Sequence, residues 1–279
     1  AKRLFAEVLW DYSEEELARC VDLAYTGKFD SEQITPLVMA GDLPVLELFH
    51  GPTSAFKDVA LCMLPQLMST ALNGRKEKVM IVTATSGDTG KAALSGFQDA
   101  ENIGITVFYP YGKVSDIQRL QMVCQQGENV RVCAIRGNFD DAQSGVKRLF
   151  HSAQAKAALD EDHIVLSSAN SINIGRLVPQ IVYYFAAYRQ LLEAGAVQMG
   201  EEVNFCVPTG NFGNVLAGYY AKLMGLPVHR LIVAANENNV LEDFLNTGVY
   251  DRNRPFHQTI SPSMDILISS NLERMLYYL

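Results

Sequence analysis

The chain has 279 residues, of which 48% are hydrophobic and 19% are charged, and its formal net charge is −8. This length and composition suit one large or two smaller globular domains with a sizeable core. The negative charge and the absence of a Lys/Arg cluster argue against a nucleic-acid surface, which needs cations to neutralise phosphates. We therefore expect small-molecule partners and no nucleic acid.

The first forty residues are predicted to be helical and amphipathic. Ser13 precedes three glutamates and is a candidate N-cap, and apolar side chains recur at helical spacing at Leu17, Val21 and Ala24. We interpret this segment as a surface helix that supports the core.

The pattern then changes to short β-rich runs that alternate with helical stretches. The predicted strands are Val79–Ala84, Thr106–Tyr109, Val130–Ile135, Ile164–Leu166, Val203–Val207 and Leu231–Ala235. The predicted helices are Gly90–Glu101, Ser115–Gln126, Phe139–Ala158, Gly175–Glu193, Gly213–Met224 and Asn239–Leu245. Strands that are each followed by a helix are typical of βαβ units around a parallel sheet, so the predicted fold class is α/β. In such sheets, ligands bind at the carboxyl ends of the strands.

Lys57 stands in a short loop that is apolar apart from hydroxyl groups. It comes just before the apolar run from Val59 to Met68, which we read as a buried helix interrupted by Pro65. Desolvation lowers the pKa of a lysine and frees its amine to form a Schiff base, so Lys57 is a candidate covalent attachment point. The alternative is a solvated surface lysine.

Two strand-to-helix turns are candidate anion sites. The first contains Thr85, Ser86, Gly87, Asp88 and Thr89. Backbone N–H groups at a helix start, together with hydroxyl donors, suit a carboxylate. A plain N-cap by Ser86 or Thr89 is equally compatible with this pattern.

The second turn runs through Gly210, Asn211, Phe212, Gly213 and Asn214. Its two glycines let backbone amides curve around a phosphate, although it matches neither a Walker loop nor G-x-G-x-x-G. A capping loop without a ligand is the alternative.

A third cluster, Ser168–Arg176, also follows a strand and opens a helix. Arg176 could hold a second phosphate with help from Ser171 and Asn173. The alternative is a solvent-exposed arginine beside capping asparagines.

Four motifs in this order, FHGPTSAFKD, TATSGDTG, ANSINIGR and PTGNFGNVLAGYYAK, resemble threonine synthase of the longer-chain branch. This family consists of pyridoxal-phosphate enzymes of fold type II, the fold shared with the tryptophan synthase β subunit. The resemblance implies two α/β domains with the cofactor cleft between them. It also implies pyridoxal 5'-phosphate as cofactor and a lyase step of threonine biosynthesis, in which O-phospho-L-homoserine and water give L-threonine and phosphate.

The resemblance also implies residue roles. Lys57 would hold the cofactor covalently and be the catalytic residue, and Gly210 to Asn214 would bind the cofactor's phosphate. The turn from Thr85 to Thr89 would hold the substrate's α-carboxylate, with Asp88 where related enzymes carry an asparagine near the cofactor's phenolic oxygen. For the leaving phosphate we expect Arg176 with Asn173 and Ser171.

The segment Tyr111–Gln118 resembles the family's Lys/Ser/Gln loop, so Lys113 and Ser115 are further candidates for the substrate's phosphate. An ordinary helix cap is the alternative. His50, in the first motif, is interpreted as a structural loop residue, because no base other than Lys57 is required.

The predicted domains are a helical segment (1–40), a large cofactor-binding domain (41–77 and 167–279) and a small α/β domain (78–166). Family members extend beyond both ends of this chain, which closes on the apolar run Met275–Leu279. We therefore expect a fragment without the C-terminal hydroxyl group that pairs with the pyridine nitrogen in the family.

Five scattered cysteines without C-x-x-C spacing indicate neither a disulfide framework nor a zinc site, so we predict no metal. With no signal peptide recognised, they favour the cytoplasm. The most apolar helix, Leu177–Ala187, is too short to span a bilayer, so we expect no membrane partner. For the oligomeric state we expect a monomer or a homodimer.

Two other functions stay open at this point. One is an O-phosphohomoserine lyase or an amino-acid dehydratase of the same fold. The other is a non-catalytic, truncated synthase-like protein that only binds a phosphorylated ligand.

Overall fold

The computed structural model describes residues 1–278, and Leu279, the last residue of the predicted large domain, lies outside the described residues, as does the side chain of Asp140. The chain forms two compact units. The first contains Ala1–Ile34 and Leu48–Arg176, and the second contains Thr35–Glu47 and the chain from Leu177 onward. This division differs from the predicted domains, because residues 48–77 and the N-terminal helices group with the predicted small domain.

The helices and strands alternate as expected for an α/β protein. In chain order they are α1 Lys2–Val8, α2 Glu14–Tyr25, β1 Leu37–Ala40, β2 Leu43–Leu46, α3 Asp58–Leu72, β3 Lys78–Ala84, α4 Asp88–Phe97, β4 Ile103–Pro110, α5 Asp116–Val123, β5 Val130–Ile135, α6 Phe139–His151, α7 Ala153–Glu161, β6 Ile164–Ser167, α8 Ile174–Glu193, β7 Val203–Pro208, α9 Gly213–Leu223, β8 Val228–Ala234, α10 Val240–Thr247, a 3-10 turn Pro262–Met264 and α11 Leu272–Leu276. Each of the six predicted strands is present, so the α/β prediction is confirmed. Among residues 1–278, no helix combines the length and the apolar character needed to cross a membrane.

Two of the predicted helices were drawn wrongly. The first forty residues are not helical throughout, since Leu37–Ala40 pairs with Leu43–Leu46 as an antiparallel hairpin around a turn at Gly41, whose φ is +62°. The stretch Phe139–Ala158 breaks at Ser152, which is extended and whose hydroxyl caps α7 by accepting from the N–H of Ala155. The predicted cap at Ser13 is confirmed as a capping box with Glu16.

Pro65 does not interrupt its helix, contrary to the sequence prediction. α3 continues through it, and the missing proline N–H leaves the carbonyl of Leu61 without its usual partner four residues on. Gly96 of α4 packs against this carbonyl so closely that a Cβ atom there would lie 2.0 Å from the Leu61 oxygen. α3 and α4 therefore cross in close contact at this point.

The first unit is built on a parallel sheet in the order β5-β4-β3-β6. Alternate residues of β3 enter two separate apolar clusters: Ile81 packs with Phe97 of α4, while Val82 packs with Val146 of α6. The sheet is therefore covered on both faces, as its run of Val and Ile predicts. Its carboxyl-end edge carries the turns after β3, β4 and β6.

The second unit contains the β1–β2 hairpin and a parallel pair, β7 and β8. Gln190 of α8 ties the hairpin to the unit, since its side chain accepts from the N–H of Leu37 at 2.8 Å and donates to the carbonyl of Thr35 at 3.0 Å. The less regular segment after α10 is held by the buried Asp265, which accepts hydrogen bonds from Asn236 and Thr259.

Candidate active site

Lys57 is a buried amine at the start of α3. It occupies the N-cap position, its side chain is 11% exposed, and its Nζ lies 3.6 Å from Oδ2 of Asp88. Burial lowers the pKa of Lys57 from 10.5 to about 8; Asp88 opposes this shift, and the positive charges of Arg176 and Lys91 add to it. A substantial neutral fraction at neutral pH is what a lysine needs to attack a carbonyl group.

The loop before Lys57 is fixed by Asp58. This buried carboxylate accepts from the N–H of Thr53 at 2.8 Å, from the Thr53 hydroxyl at 2.6 Å and from the N–H of Ala55 at 3.4 Å. Burial raises the pKa of Asp58, and these three hydrogen bonds act against that rise. A Cβ atom on Gly51 would lie 2.5 Å from Cβ of Asp58, so the loop folds tightly over this carboxylate.

The turn after β3 is organised by Thr85. Its buried hydroxyl accepts from the N–H groups of Gly87 and Gly90, both at 2.9 Å, whereas no side chain caps α4 at its N-cap Gly87. The alternative of a plain cap by Ser86 or Thr89 is therefore wrong.

Three amides at this helix start point at no protein acceptor. Within residues 1–278, the N–H groups of Ser86, Asp88 and Thr89 have no hydrogen-bond acceptor. A helix N-terminus with several such donors is suited to an anion.

The cluster after β6 joins the same edge of the sheet. Asn170 donates to the carbonyl of Ala84 at 2.9 Å, and the N–H of Ala169 donates to the hydroxyl of Thr83 at 3.2 Å. Arg176 is 3% exposed and its Nη1 donates to the carbonyl of Ala169 at 2.9 Å, so the alternative of a solvent-exposed arginine is wrong. Asn173 shapes the loop, donating to the carbonyl of Ser168 and accepting from the N–H of Gly175.

The loop after β4 reaches the site through a glutamine. Ser115 is the N-cap of α5 and accepts from the N–H of Gln118 at 3.3 Å, and Lys113 is exposed. Gln118 Nε2 donates to Oδ1 of Asp88 at 2.6 Å. The first unit thus brings Lys57, the Thr85–Thr89 turn and Arg176 together, while Lys113 and Ser115 make no described contact with them.

Sequence reasoning missed Lys91 as a residue of this site. Lys91 is 8% exposed, its Nζ donates to the carbonyl of Thr53 at 2.9 Å, and it lies 3.6 Å from Oδ1 of Asp88. The pattern offers one signal: Lys91 follows Asp88 by three residues, the spacing of a helical ion pair. That spacing is far commoner on exposed helix faces.

The predicted phosphate loop lies in the second unit, between β7 and α9. Phe212 is the N-cap in a left-handed conformation, with φ of +63°, and the N–H groups from Asn211 to Asn214 have no acceptor within residues 1–278. Asn214 is held by the hydroxyls of Tyr183 and Tyr184, which donate to its Oδ1 at 2.5 and 2.8 Å. A Cβ atom on Gly210 would lie 2.9 Å from Cγ1 of Ile266, so a side chain there would have to displace Ile266.

Taken separately, each unit carries a group that suits one part of a phosphorylated aldehyde. A buried amine with a lowered pKa can bind an aldehyde covalently, and a helix start with unpaired amides can bind a phosphate. No cluster of three or more potential metal ligands occurs among residues 1–278.

The chain belongs to the family of pyridoxal-phosphate dependent enzymes, whose family model matches residues 29–277. This membership confirms the predicted cofactor class, pyridoxal 5'-phosphate.

Within this family, the chain is similar in sequence and structure to threonine synthases and to a threonine synthase-like protein. The chain is 47% identical over 252 residues to a threonine synthase of Pseudomonas aeruginosa, and the match covers 90% of this chain and 51% of that protein. It is 43% identical over 275 residues to human "Threonine synthase-like 1", covering 96% of this chain and 37% of that protein. The crystal structure of a PLP-bound threonine synthase from Brucella melitensis superimposes with a TM-score of 0.87 at 44% identity, covering 99% of this chain and 58% of that one. The chain thus spans between 37% and 58% of the length of these three proteins.

Proposed function

We propose that the protein is a threonine synthase, which converts O-phospho-L-homoserine and water to L-threonine and phosphate. The observation that carries the proposal is the position of Lys57. Its buried amine lies beside Asp88. The same unit contains the start of α4, whose amides can bind an anion, and the buried Arg176. The identities with threonine synthases support the choice of reaction within the family.

In this proposal, two groups of the chain are assigned to the cofactor. Lys57 binds it covalently, and the amides from Gly210 to Asn214 receive its phosphate. Asp88 is assigned to the cofactor's phenolic oxygen and to the orientation of Lys57. When bound, the cofactor supplies an electron sink for negative charge that develops at Cα of the substrate.

The substrate's two anionic groups are assigned to separate donors. The α-carboxylate is assigned to the turn from Thr85 to Thr89. In this turn the N–H groups of Ser86, Asp88 and Thr89 have no acceptor within residues 1–278. The leaving phosphate is assigned to Arg176, Ser171 and Lys113. Asn173 and Ser115 already hydrogen-bond their own loops, so we assign them to positioning these groups.

Lys57 also moves the protons of the reaction. With the substrate bound, the Lys57 amine would accept and return protons at Cα and Cβ. The Cγ–O bond breaks and phosphate leaves. Water then places its hydroxyl on Cβ, and Cγ becomes the methyl group of threonine. One water enters and one phosphate leaves, so the atoms balance.

Covalent attachment can be tested on the chain itself. Pyridoxal phosphate is added, the product is reduced with borohydride, and peptides are mapped by mass spectrometry. We expect the label on Lys57 and an absorbance band at about 412 nm before reduction, both lost in Lys57→Ala and kept in the exposed control Lys76→Ala. A label on another lysine would contradict the assignment.

The reaction is tested by incubating the protein with O-phospho-L-homoserine and measuring phosphate, threonine and 2-oxobutyrate. Equal amounts of phosphate and threonine are expected. Formation of 2-oxobutyrate without threonine would contradict the synthase assignment and indicate a lyase or dehydratase of the same fold. Ligand binding with no product would favour the non-catalytic alternative.

We also propose a cytoplasmic location, supported by the five cysteines, all of which are free thiols. A monomer or homodimer is proposed for the oligomeric state, and sedimentation of the purified protein would distinguish the two.

A further inference from the structure

Lys91 is a second buried amine within this site, and the reaction assigned above does not use it. It is 8% exposed, and its Nζ has two partners on different segments. One is the carbonyl of Thr53, at 2.9 Å, and the other is Oδ1 of Asp88, at 3.6 Å. A buried ammonium group is costly to desolvate, so a lysine in such a place needs a structural or electrostatic reason.

The two partners of Lys91 lie on the two segments that frame Lys57. Thr53 belongs to the loop that ends at Lys57 and is fixed by Asp58 through its N–H and its hydroxyl. Asp88 opens α4 and is the carboxylate nearest to the Lys57 amine, at 3.6 Å. Lys91 therefore bridges the loop that carries the reactive lysine and the carboxylate that faces it.

Asp88 consequently has two cations to neutralise. Lys57 approaches its Oδ2 and Lys91 approaches its Oδ1, which also accepts from Gln118 Nε2 at 2.6 Å. Arg176, at the start of α8, adds a third positive charge near Lys57. Asp58 is a second carboxylate, and the charge of Lys91 acts to lower its pKa. Asp88 thus lies between two lysine amines, one at each of its carboxylate oxygens.

We propose that Lys91 is a positioning residue for Lys57. It holds the Thr53 carbonyl and Asp88 in place, and by sharing the Asp88 charge it keeps Lys57 available as a neutral amine. This proposal concerns the Lys57 amine whatever the substrate, so it goes beyond the proposed reaction. The positive charge of Lys91 also contributes in the required direction to the lowered pKa of Lys57.

The test measures the titration of Lys57 directly, without added cofactor. The chain is labelled at a series of pH values with a trace of acetic anhydride, and mass spectrometry gives the acetylated fraction of the Lys57 peptide. The wild type should show a midpoint at about pH 8. Lys91→Gln keeps an N–H donor but removes the charge, Lys91→Met removes both, and Lys91→Arg keeps the charge.

We expect the midpoint of Lys57 to rise by about one pH unit in Lys91→Gln and Lys91→Met, because a neighbouring positive charge is lost and Asp88 is left to pair with Lys57. Acetylation of Lys57 at pH 7 should then fall about tenfold. Lys91→Arg and the exposed control Lys76→Met should keep the wild-type midpoint.

If the midpoint of Lys57 stays at the wild-type value in Lys91→Gln, the proposal is overturned. An unchanged midpoint together with faster hydrogen exchange of residues 51–57 would mean that Lys91 has a purely structural role. Lys91→Gln carries the test if Lys91→Met does not fold. Failure of the synthase assignment would appear as missing threonine and would leave these midpoints unchanged, so the two failures are distinguishable.

Discussion

Replacement of Lys57 by methionine should stabilise the cofactor-free chain at neutral pH. Methionine has nearly the same length as lysine and no charge, so it removes the cost of burying an ammonium group and keeps most of the packing. Asp88 retains Lys91 and Gln118 as partners in this variant. The residue that makes the site reactive is therefore expected to destabilise the fold.

The magnitude follows from the pKa of Lys57, which falls from 10.5 to about 8 in the folded chain. Each pH unit corresponds to about 1.4 kcal/mol, so keeping this amine protonated in the fold costs about 3 kcal/mol. Because the folded-state pKa is the lower one, the full cost is present below pH 8, decreases as the pH rises and disappears above pH 10.5. Lys57→Met should raise the free energy of unfolding by about 3 kcal/mol at pH 7, and this difference should close toward pH 10.5.

Urea unfolding followed by circular dichroism at pH 7, 8, 9 and 10 measures this difference. Because the chain has two compact units, hydrogen exchange of peptides from α3 should accompany it, to assign the change to the first unit. Lys76→Met is the matched control, since Lys76 is exposed and its replacement should change stability by less than about 0.5 kcal/mol. The reasoning is refuted if Lys57→Met is no more stable than the wild type at pH 7, or if its advantage does not depend on pH.

Two further substitutions test the packing and the capping described above. Gly96→Ala should destabilise the first unit by about 3 kcal/mol or more, because its Cβ would lie 2.0 Å from the Leu61 carbonyl oxygen. Ser95→Gly, at the neighbouring and partly exposed position of the same helix, serves as a comparison for helix propensity. An equally small loss in both variants would contradict the close crossing. Ser13→Ala should cost about 1 kcal/mol through loss of the α2 capping box, while Ser13→Asp should retain most of it, as measured by thermal unfolding.

The sheet could be predicted from the sequence because its strands are short runs rich in Val and Ile, and the segments between them have the length and pattern of helices. The bounds of Val130–Ile135 were predicted without error. The hairpin at residues 37–46 was missed because both of its strands are almost wholly apolar and do not alternate. The pair Gly41-Asp42 between them was the available signal, since such a pair favours a two-residue turn.

The candidate site could be predicted only as far as its motifs were local. Lys57, the Thr85–Thr89 turn and Arg176 each lie at or near the start of a helix, where the sequence places glycine and hydroxyl residues. Lys91 could not be predicted, because its burial depends on the Thr53 carbonyl, which lies 38 residues away along the chain. Local spacing describes a helix face and does not tell which tertiary neighbour covers it.

The proline within α3 gives the carbonyl of Leu61 a neighbour outside its own helix. The glycine of α4 that meets this carbonyl lies eight residues after the start of its helix, and Pro65 lies seven residues after the start of α3. One helix begins next to Lys57 and the other begins with Asp88, so the contact between the first turn of α3 and the last turn of α4 constrains the distance between their beginnings. A side chain at Gly96 would therefore act as a wedge two helical turns from the chemistry. It would separate the Lys57 amine from its carboxylate while leaving every polar residue of the site intact.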